Sequence, residues 1–224
     1  MTKRHVLAAG AALFLCLTAF LAAPGSAQAA TGPTAAQLKA KTTGCHRQVS
    51  SGKYAQDSGG SRNIPVCASG KAIYFTADLD VDCDGQRSTQ CNKQTDPDYQ
   101  PDTAYHQSNG KPLNAAKLPY IVLPAPSSIW NFTRSGIGGA TVAAVVYKNK
   151  VAYAVVGDTG PTGIIGEGSY KLAKQLGINP SPSHGGVGGR VVTYILFPGV
   201  KASPIESSSS AVSKGQTAAN AFVG

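Results

Sequence analysis

Acidic residues are scarce in this chain of 224 residues: 11 Asp and Glu stand against 20 Lys and Arg. Between Asp102 and Glu206 only two carboxylates occur, Asp158 and Glu167. The bases, though more numerous, are scattered and form no Lys/Arg run, which argues against a nucleic-acid partner. Beyond residues 6–23, no apolar stretch approaches the ~18 residues a membrane span requires, so no membrane anchor is expected. No G-x-S-x-G, P-loop or H-E-x-x-H string occurs, and neighbouring motifs assemble no Ser-His-Asp triad, which removes the common hydrolase and nucleotide signatures. No two cysteines stand two to four residues apart, so no zinc site of the C-x-x-C type is available. There is no internal repeat.

What is present begins with a leader. Lys3, Arg4 and His5 precede the apolar run, and Ala27-Gln28-Ala29 offers a small-x-small cleavage site. Residues 1–29 therefore read as a secretory signal peptide, and the product is expected to be extracellular. Residues 30–224 suffice for a single domain, with residues 30–43 as an N-terminal tail or short helix. Cys16 leaves with the leader. Cys45, Cys67, Cys83 and Cys91 remain, an even number in an exported chain, so two disulfides are expected. Three pairings are open, and nearness in sequence favours Cys45–Cys67 with Cys83–Cys91.

The net charge of +9 falls to +7 without Lys3 and Arg4. Against that basic background the acids are unevenly placed. Asp78, Asp80, Asp82, Asp84, Asp96, Asp98 and Asp102 fall within 25 residues, opposed only by Arg87 and Lys93. Such a segment sets up a local field that attracts cations.

Residues 73–81 alternate as a strand, residues 84–117 read as a long polar loop, and residues 118–123 form a short strand between prolines. Residues 141–147 and 151–156 suggest a hairpin around Lys148-Asn149-Lys150. A glycine-rich loop over residues 157–170 follows, then a helix over 169–176 closed by Gly177, a strand over 191–197 and a terminal helix over 216–223. Many short strands with few helices point to a mainly β (α+β) domain, barrel-like, with long loops.

Asp158 and Glu167 lie in the glycine-rich stretch, nine residues apart. Fully extended, that span reaches roughly 30 Å, whereas paired carboxylates that cleave a glycosidic bond with inversion stand about 6.5–9.5 Å apart. The chain must fold back, and Pro161 with Gly160, Gly163 and Gly166 supplies the turn chemistry. Asp78 to Asp84 admits two readings. Asp80-x-Asp82-x-Asp84-Gly85 opens like a calcium loop, although its twelfth position is Cys91 rather than a bidentate Glu. As a strand, the segment instead sets Asp78, Asp80, Asp82 and Asp84 on one face, opposite Leu79, Val81 and Cys83. Trp130, Tyr99, Tyr105, Tyr120 and Tyr147 are candidate sugar-stacking aromatics.

The string from Tyr74 to Gly85 (Tyr-Phe-Thr-Ala-Asp-Leu-Asp-Val-Asp-Cys-Asp-Gly), followed by Val155-Val156-Gly157-Asp158-Thr159-Gly160-Pro161 and Gly166-Glu167-Gly168-Ser169, resembles the endo-chitosanases of glycoside hydrolase family 75. The resemblance runs from about Cys67 to Phe197. It implies a secreted enzyme that hydrolyses β-1,4 bonds of chitosan with inversion, through an Asp and a Glu that fall on Asp158 and Glu167. A more distant likeness to the double-psi β-barrels of expansins and some endoglucanases implies a six-stranded barrel, with Glu167 as general acid and Asp158 as general base. The expected substrate contacts are Asp78, Asp80, Asp82, Asp84, Thr159 and Tyr170, since protonated chitosan is a polycation and the acidic segment matches it. No metal or other cofactor is needed, and a monomer is expected. The competing readings are an expansin-like, non-hydrolytic polysaccharide binder and a hydrolase of another amino-sugar polymer such as peptidoglycan.

Overall fold

The computed structural model describes Met1 and residues 31–224, so the expected leader lies, Met1 apart, outside the described residues. The chain folds as one mainly β domain. Strands β1 (Cys67–Ser69), β2 (Ala72–Asp82), β3 (Tyr120–Pro124), β4 (Thr141–Tyr147), β5 (Lys150–Gly160), β6 (Glu167–Ser169) and β7 (Val187–Lys201) form one sheet in the order β1-β2-β6-β3-β5-β4-β7. A further pairing of β2 with β7 closes it into a barrel of six strands, with β1 outside the ring. Two pairs are parallel, β2 with β6 and β3 with β5, and the other contacts are antiparallel. This is the six-stranded barrel core the sequence led us to expect.

Period-two alternation fills the interior. Ile73, Phe75, Ala77 and Leu79 of β2 point inward and meet Ile121 of β3 and Tyr194 of β7, whose ring stacks on Phe75 at 4.6 Å. The opposite residues of the strands carry a second apolar layer, covered by α1 (Ala35–Ala40) and α3 (Ser208–Val223) through Leu38 and Ala219. Among the described residues, no helix is long and apolar enough to cross a membrane.

Three of the expected elements differ at a boundary by more than two residues. Strand β5 does not stop at Val156 but continues to Gly160, so the glycine-rich loop shrinks to a turn between β5 and β6. Strand β7 starts at Val187, within a Pro/Ser/Gly-rich stretch, and α3 starts at Ser208, within the serine run. Barrel closure gives a strand a hydrogen-bonding partner on each side, which offsets the entropic cost of its glycines. Ser207 accepts a bond from the Ser210 N–H as the helix N-cap, the one helical position where serine is favoured. The disulfides are Cys45–Cys67 and Cys83–Cys91. The second ties the end of β2 to the long loop that follows it.

Candidate active site

The site lies on the outer face of the barrel, where β2, β6, β3 and β5 run side by side. Its position depends on one irregularity. Along β5, Val155 pairs with Tyr120 and Val156 with Ile121, but Val122 pairs with Asp158, so Gly157 is an extra residue. Val156 points into the barrel and Val155 points out. Without the bulge, Asp158 would follow Val156 inward, because a one-residue shift reverses every later side chain. With it, Asp158 joins Val122 on the outer face. Only glycine fits the bulge: a Cβ on Gly157 would stand 2.6 Å from Tyr120 Cβ and 2.7 Å from Leu113 Cδ1.

Glu167 is the first residue of β6 and pairs with Val122 from the other side of β3, and with Asp80 of β2. Asp80, Glu167, Val122 and Asp158 thus form one row across four strands. Two inter-strand steps of about 4.8 Å separate Asp158 and Glu167, roughly 10 Å from strand to strand across the sheet. The Glu167 side chain leans over β3 towards β5. A Cβ on Gly160 would lie 2.7 Å from Glu167 Oε2 and 3.3 Å from Val122 Cγ1. Strand β6 is pinned by Ser169, whose hydroxyl donates to the Leu118 carbonyl at 2.8 Å and accepts from the N–H groups of Tyr120 and Leu172. The last of these bonds caps α2 (Tyr170–Leu176).

The two carboxylates sit in different surroundings. Asp158 is buried, and its Oδ1 accepts the N–H of Ala104 at 2.8 Å and of Thr159 at 2.7 Å. Burial raises its pKa, and those two bonds pull against the rise. Among the described residues, Glu167 has no such donors. Burial, then the charges of Asp80, Asp84, Asp158 and Asp78, push it up to about 7. Two backbone N–H groups thus favour the carboxylate form of Asp158 against the pull of burial, whereas burial and four like charges all favour the protonated form of Glu167.

The acidic segment divides. Asp78, Asp80 and Asp82 do share the outer face, with Leu79 in the core, as the alternation required. However, carboxylate oxygens of Asp82 and Asp84 converge with Asp158 within 4.8 Å, while those of Asp78 and Asp80 converge with Asp57. Asp80, Asp82 and Asp84 therefore do not close on a common point as a calcium loop would. Burial, followed by the charge of Asp84, drives the Asp82 pKa far upward, and Tyr120 donates its hydroxyl to Asp82 Oδ1 at 3.0 Å. Among the described residues, none of these carboxylates has a salt-bridge partner; the ion pair present is His106 with Asp102.

Thr159 lies in the site and contributes its N–H. Tyr170 lines a pocket of about 440 Å³ with Gln90, Gln94, Asn179 and Ser183, which none of the carboxylates lines. Trp130, Tyr99 and Tyr120 are buried, so these proposed stacking surfaces are core; burying large rings stabilises the barrel more than exposing them would. Tyr105 and Tyr147 remain half-buried, and Tyr105 feels the charge of Asp158. The sequence reading missed Asp57, which stands in the turn-rich Asp57-Ser58-Gly59-Gly60 and carries no signal, since an acid in a turn is ordinary. It also missed the Ala104 N–H, because backbone donors leave no trace in residue type.

Residues 79–222 match the family described as fungal chitosanase of glycosyl hydrolase group 75. Endo-chitosanase C of Aspergillus oryzae is 32% identical over 139 residues, covering 59% of this chain and 33% of that protein. Endo-chitosanase B of the same species is 32% identical over 177 residues, 75% of this chain and 72% of that protein. The chain thus spans about a third of the length of the first relative and most of the second.

Proposed function

The chain belongs to the fungal chitosanase family of glycosyl hydrolase group 75, and from that premise we propose that it hydrolyses internal β-1,4 bonds of chitosan with inversion. The observation that carries this reading is the presentation of Asp158 and Glu167 on one outer face, from opposite sides of Val122. A backbone separation of roughly 10 Å is compatible with the carboxyl spacing of about 6.5–9.5 Å that inversion needs.

Glu167, pushed up to about 7, carries the proton that is given to the leaving glycosidic oxygen. Asp158, fixed by the Ala104 and Thr159 N–H groups, takes a proton from the water that attacks the anomeric carbon from the opposite side. The C–O bond to the leaving sugar breaks as the C–O bond to water forms. The proton count balances, leaving Glu167 ionised and Asp158 protonated until solvent resets them. Unpaired carboxylates around the row provide the field for a cationic polymer. Two disulfides fit an oxidising, extracellular setting.

The test is a reducing-end assay on chitosan, chitin and carboxymethylcellulose with wild type, Asp158→Asn and Glu167→Gln. Chitosan alone should be cleaved, and each variant should lose at least about a hundredfold in kcat. Absence of chitosan hydrolysis by wild type overturns the function, and full activity in both variants overturns the assignment of the pair. Proton NMR of the first products reads the anomer, and an α product supports inversion.

A further inference from the structure

Asp57, Asp78 and Asp80 each place a carboxylate oxygen within 4.8 Å of the others, outside the pair assigned to bond cleavage. Asp57 and Asp80 are exposed, whereas Asp78 is 2% exposed. Among the described residues, Asp78 Oδ1 is buried and has no hydrogen-bond partner, and a Gln56 side-chain bond to the carboxyl offsets only part of the upward push of burial on its pKa. An orphaned carboxylate oxygen at that depth is costly unless a proton or a cation satisfies it. Among the described residues, no Lys, Arg or His forms a salt bridge with any of the three.

The fold holds this cluster close to Glu167. The segment before Asp57 is fastened to the turn before β6 by Ala55 N–H to Gly163 O at 3.1 Å and Ile165 N–H to Ala55 O at 3.0 Å. The Asp80 N–H donates to Gly166 O at 2.8 Å, and Asp80 pairs with Glu167. Gly166, with φ of 129°, has no side chain where Asp78 Oδ1 lies; a Cβ there would be 2.1 Å from that oxygen. The three acids therefore sit on the Glu167 side of the row, away from Asp82, Asp84 and Asp158.

We propose that Asp57, Asp78 and Asp80 form the subsite for the free ammonium of the glucosamine unit that lies beside Glu167. This rests on the reading of the chain as a chitosan hydrolase. A primary ammonium has three N–H donors and no acceptor, and three carboxylate oxygens match it one for one. With N–H···O distances of about 2.8 Å, acceptors around a tetrahedral nitrogen stand roughly 4.6 Å apart, within the observed spread. An N-acetylated unit offers one N–H, no charge and a carbonyl oxygen that the carboxylates repel. The cluster thus selects a deacetylated sugar at this one position, because an acetylated unit leaves the buried Asp78 acceptor unpaired and the exposed Asp57 and Asp80 charges unmatched.

Calorimetry in the Glu167→Gln background reads binding without hydrolysis. A fully deacetylated glucosamine hexamer and an N-acetylglucosamine hexamer are titrated into Glu167→Gln alone and combined with Asp57→Asn or Asp80→Asn, both exposed positions, with melting curves to show that the fold is kept. Each added substitution should weaken the deacetylated hexamer about tenfold, with a smaller effect at high salt, and leave the acetylated one unchanged. In otherwise wild-type enzyme acting on partly acetylated chitosan, Asp57→Asn should admit N-acetylglucosamine at a product end that wild type keeps deacetylated. Equal affinities with and without Asp57→Asn overturn the subsite. So does stoichiometric calcium binding that Asp57→Asn abolishes, which would assign the cluster to a metal. Loss of hydrolysis on chitosan in wild type, with the affinity differences intact, would overturn the hydrolase reading and leave the ammonium site standing.

Discussion

Asp158 and Glu167 share a cross-strand partner: both register on Val122, Asp158 through a parallel pairing and Glu167 through an antiparallel one. A short turn between their strands could join them in many ways, but the shared partner admits one face and one spacing. It also places the two carboxylates on separate strands, so that each is held by its own neighbours.

Replacing the bulge residue tests whether β5 needs its irregularity. Gly157→Ala places a Cβ 2.6 Å from Tyr120 Cβ, in a part of the core with no room to yield. Stability should fall by about 1–3 kcal/mol, as for other overpacked sites, and activity should fall further as Asp158 is turned from the outer face. A melting temperature and kcat equal to wild type would show that the bulge is not required.

Gly160→Ala probes Glu167 without touching it covalently. The new methyl would lie 2.7 Å from Glu167 Oε2, at the end of a side chain that can move. The melting temperature should stay within about 2 °C of wild type while kcat drops on the order of a hundredfold, because a displacement near 1 Å misplaces the proposed proton donor. A parallel loss of both would attribute the effect to packing instead.

The pH–rate profile should be bell-shaped and belong to the pair as a unit. Its alkaline limb follows loss of the Glu167 proton near pH 7, and its acidic limb follows protonation of Asp158 above the ordinary carboxylate value. Asp80→Asn removes the largest charge contribution acting on Glu167 and should move the alkaline limb to lower pH. An unmoved limb would dissociate that limb from Glu167.

Stability should also depend on pH in a definite sense. Asp78 and Glu167 are pushed up to about 7 and Asp84 to about 6, with burial the first cause in each. Groups with raised folded-state values contribute fully below the unfolded carboxylate range near pH 4 and lose that contribution as pH rises through about 6 to 7. The melting temperature without substrate should therefore be higher at pH 5 than at pH 8, on the order of 5 °C. A higher value at pH 8 would show that these carboxylates are compensated in the folded state.

Much of this architecture was legible in the chain. Ile73, Phe75, Ala77 and Leu79 announce the inner face of β2 by alternation, and the intervening aspartates follow onto the other face as a consequence of the pleat. The nearest-neighbour disulfides formed as favoured, since an eight-residue span brings Cys83 and Cys91 together at little cost in loop closure. Asp158 and Glu167 stood out because they were isolated.

Local pattern could not reach the rest. Continued past Val156, period two would turn Asp158 into the barrel interior, and only the pairing of β3 against β5 exposes Gly157 as an inserted residue. The glycines of residues 157–168 read as loop because propensity is counted one residue at a time, whereas β5 persists to Gly160 on hydrogen bonds from β3. Composition and spacing by themselves determined a mainly β domain with two conspicuous acids and an acidic strand. The tertiary structure decided which acids stand together: closure of the barrel set Asp82 and Asp84 beside Asp158, and brought Asp57 from a remote turn to Asp78 and Asp80. Those groupings depend on register between strands distant in sequence, and register is a property of the closed sheet rather than of any one strand.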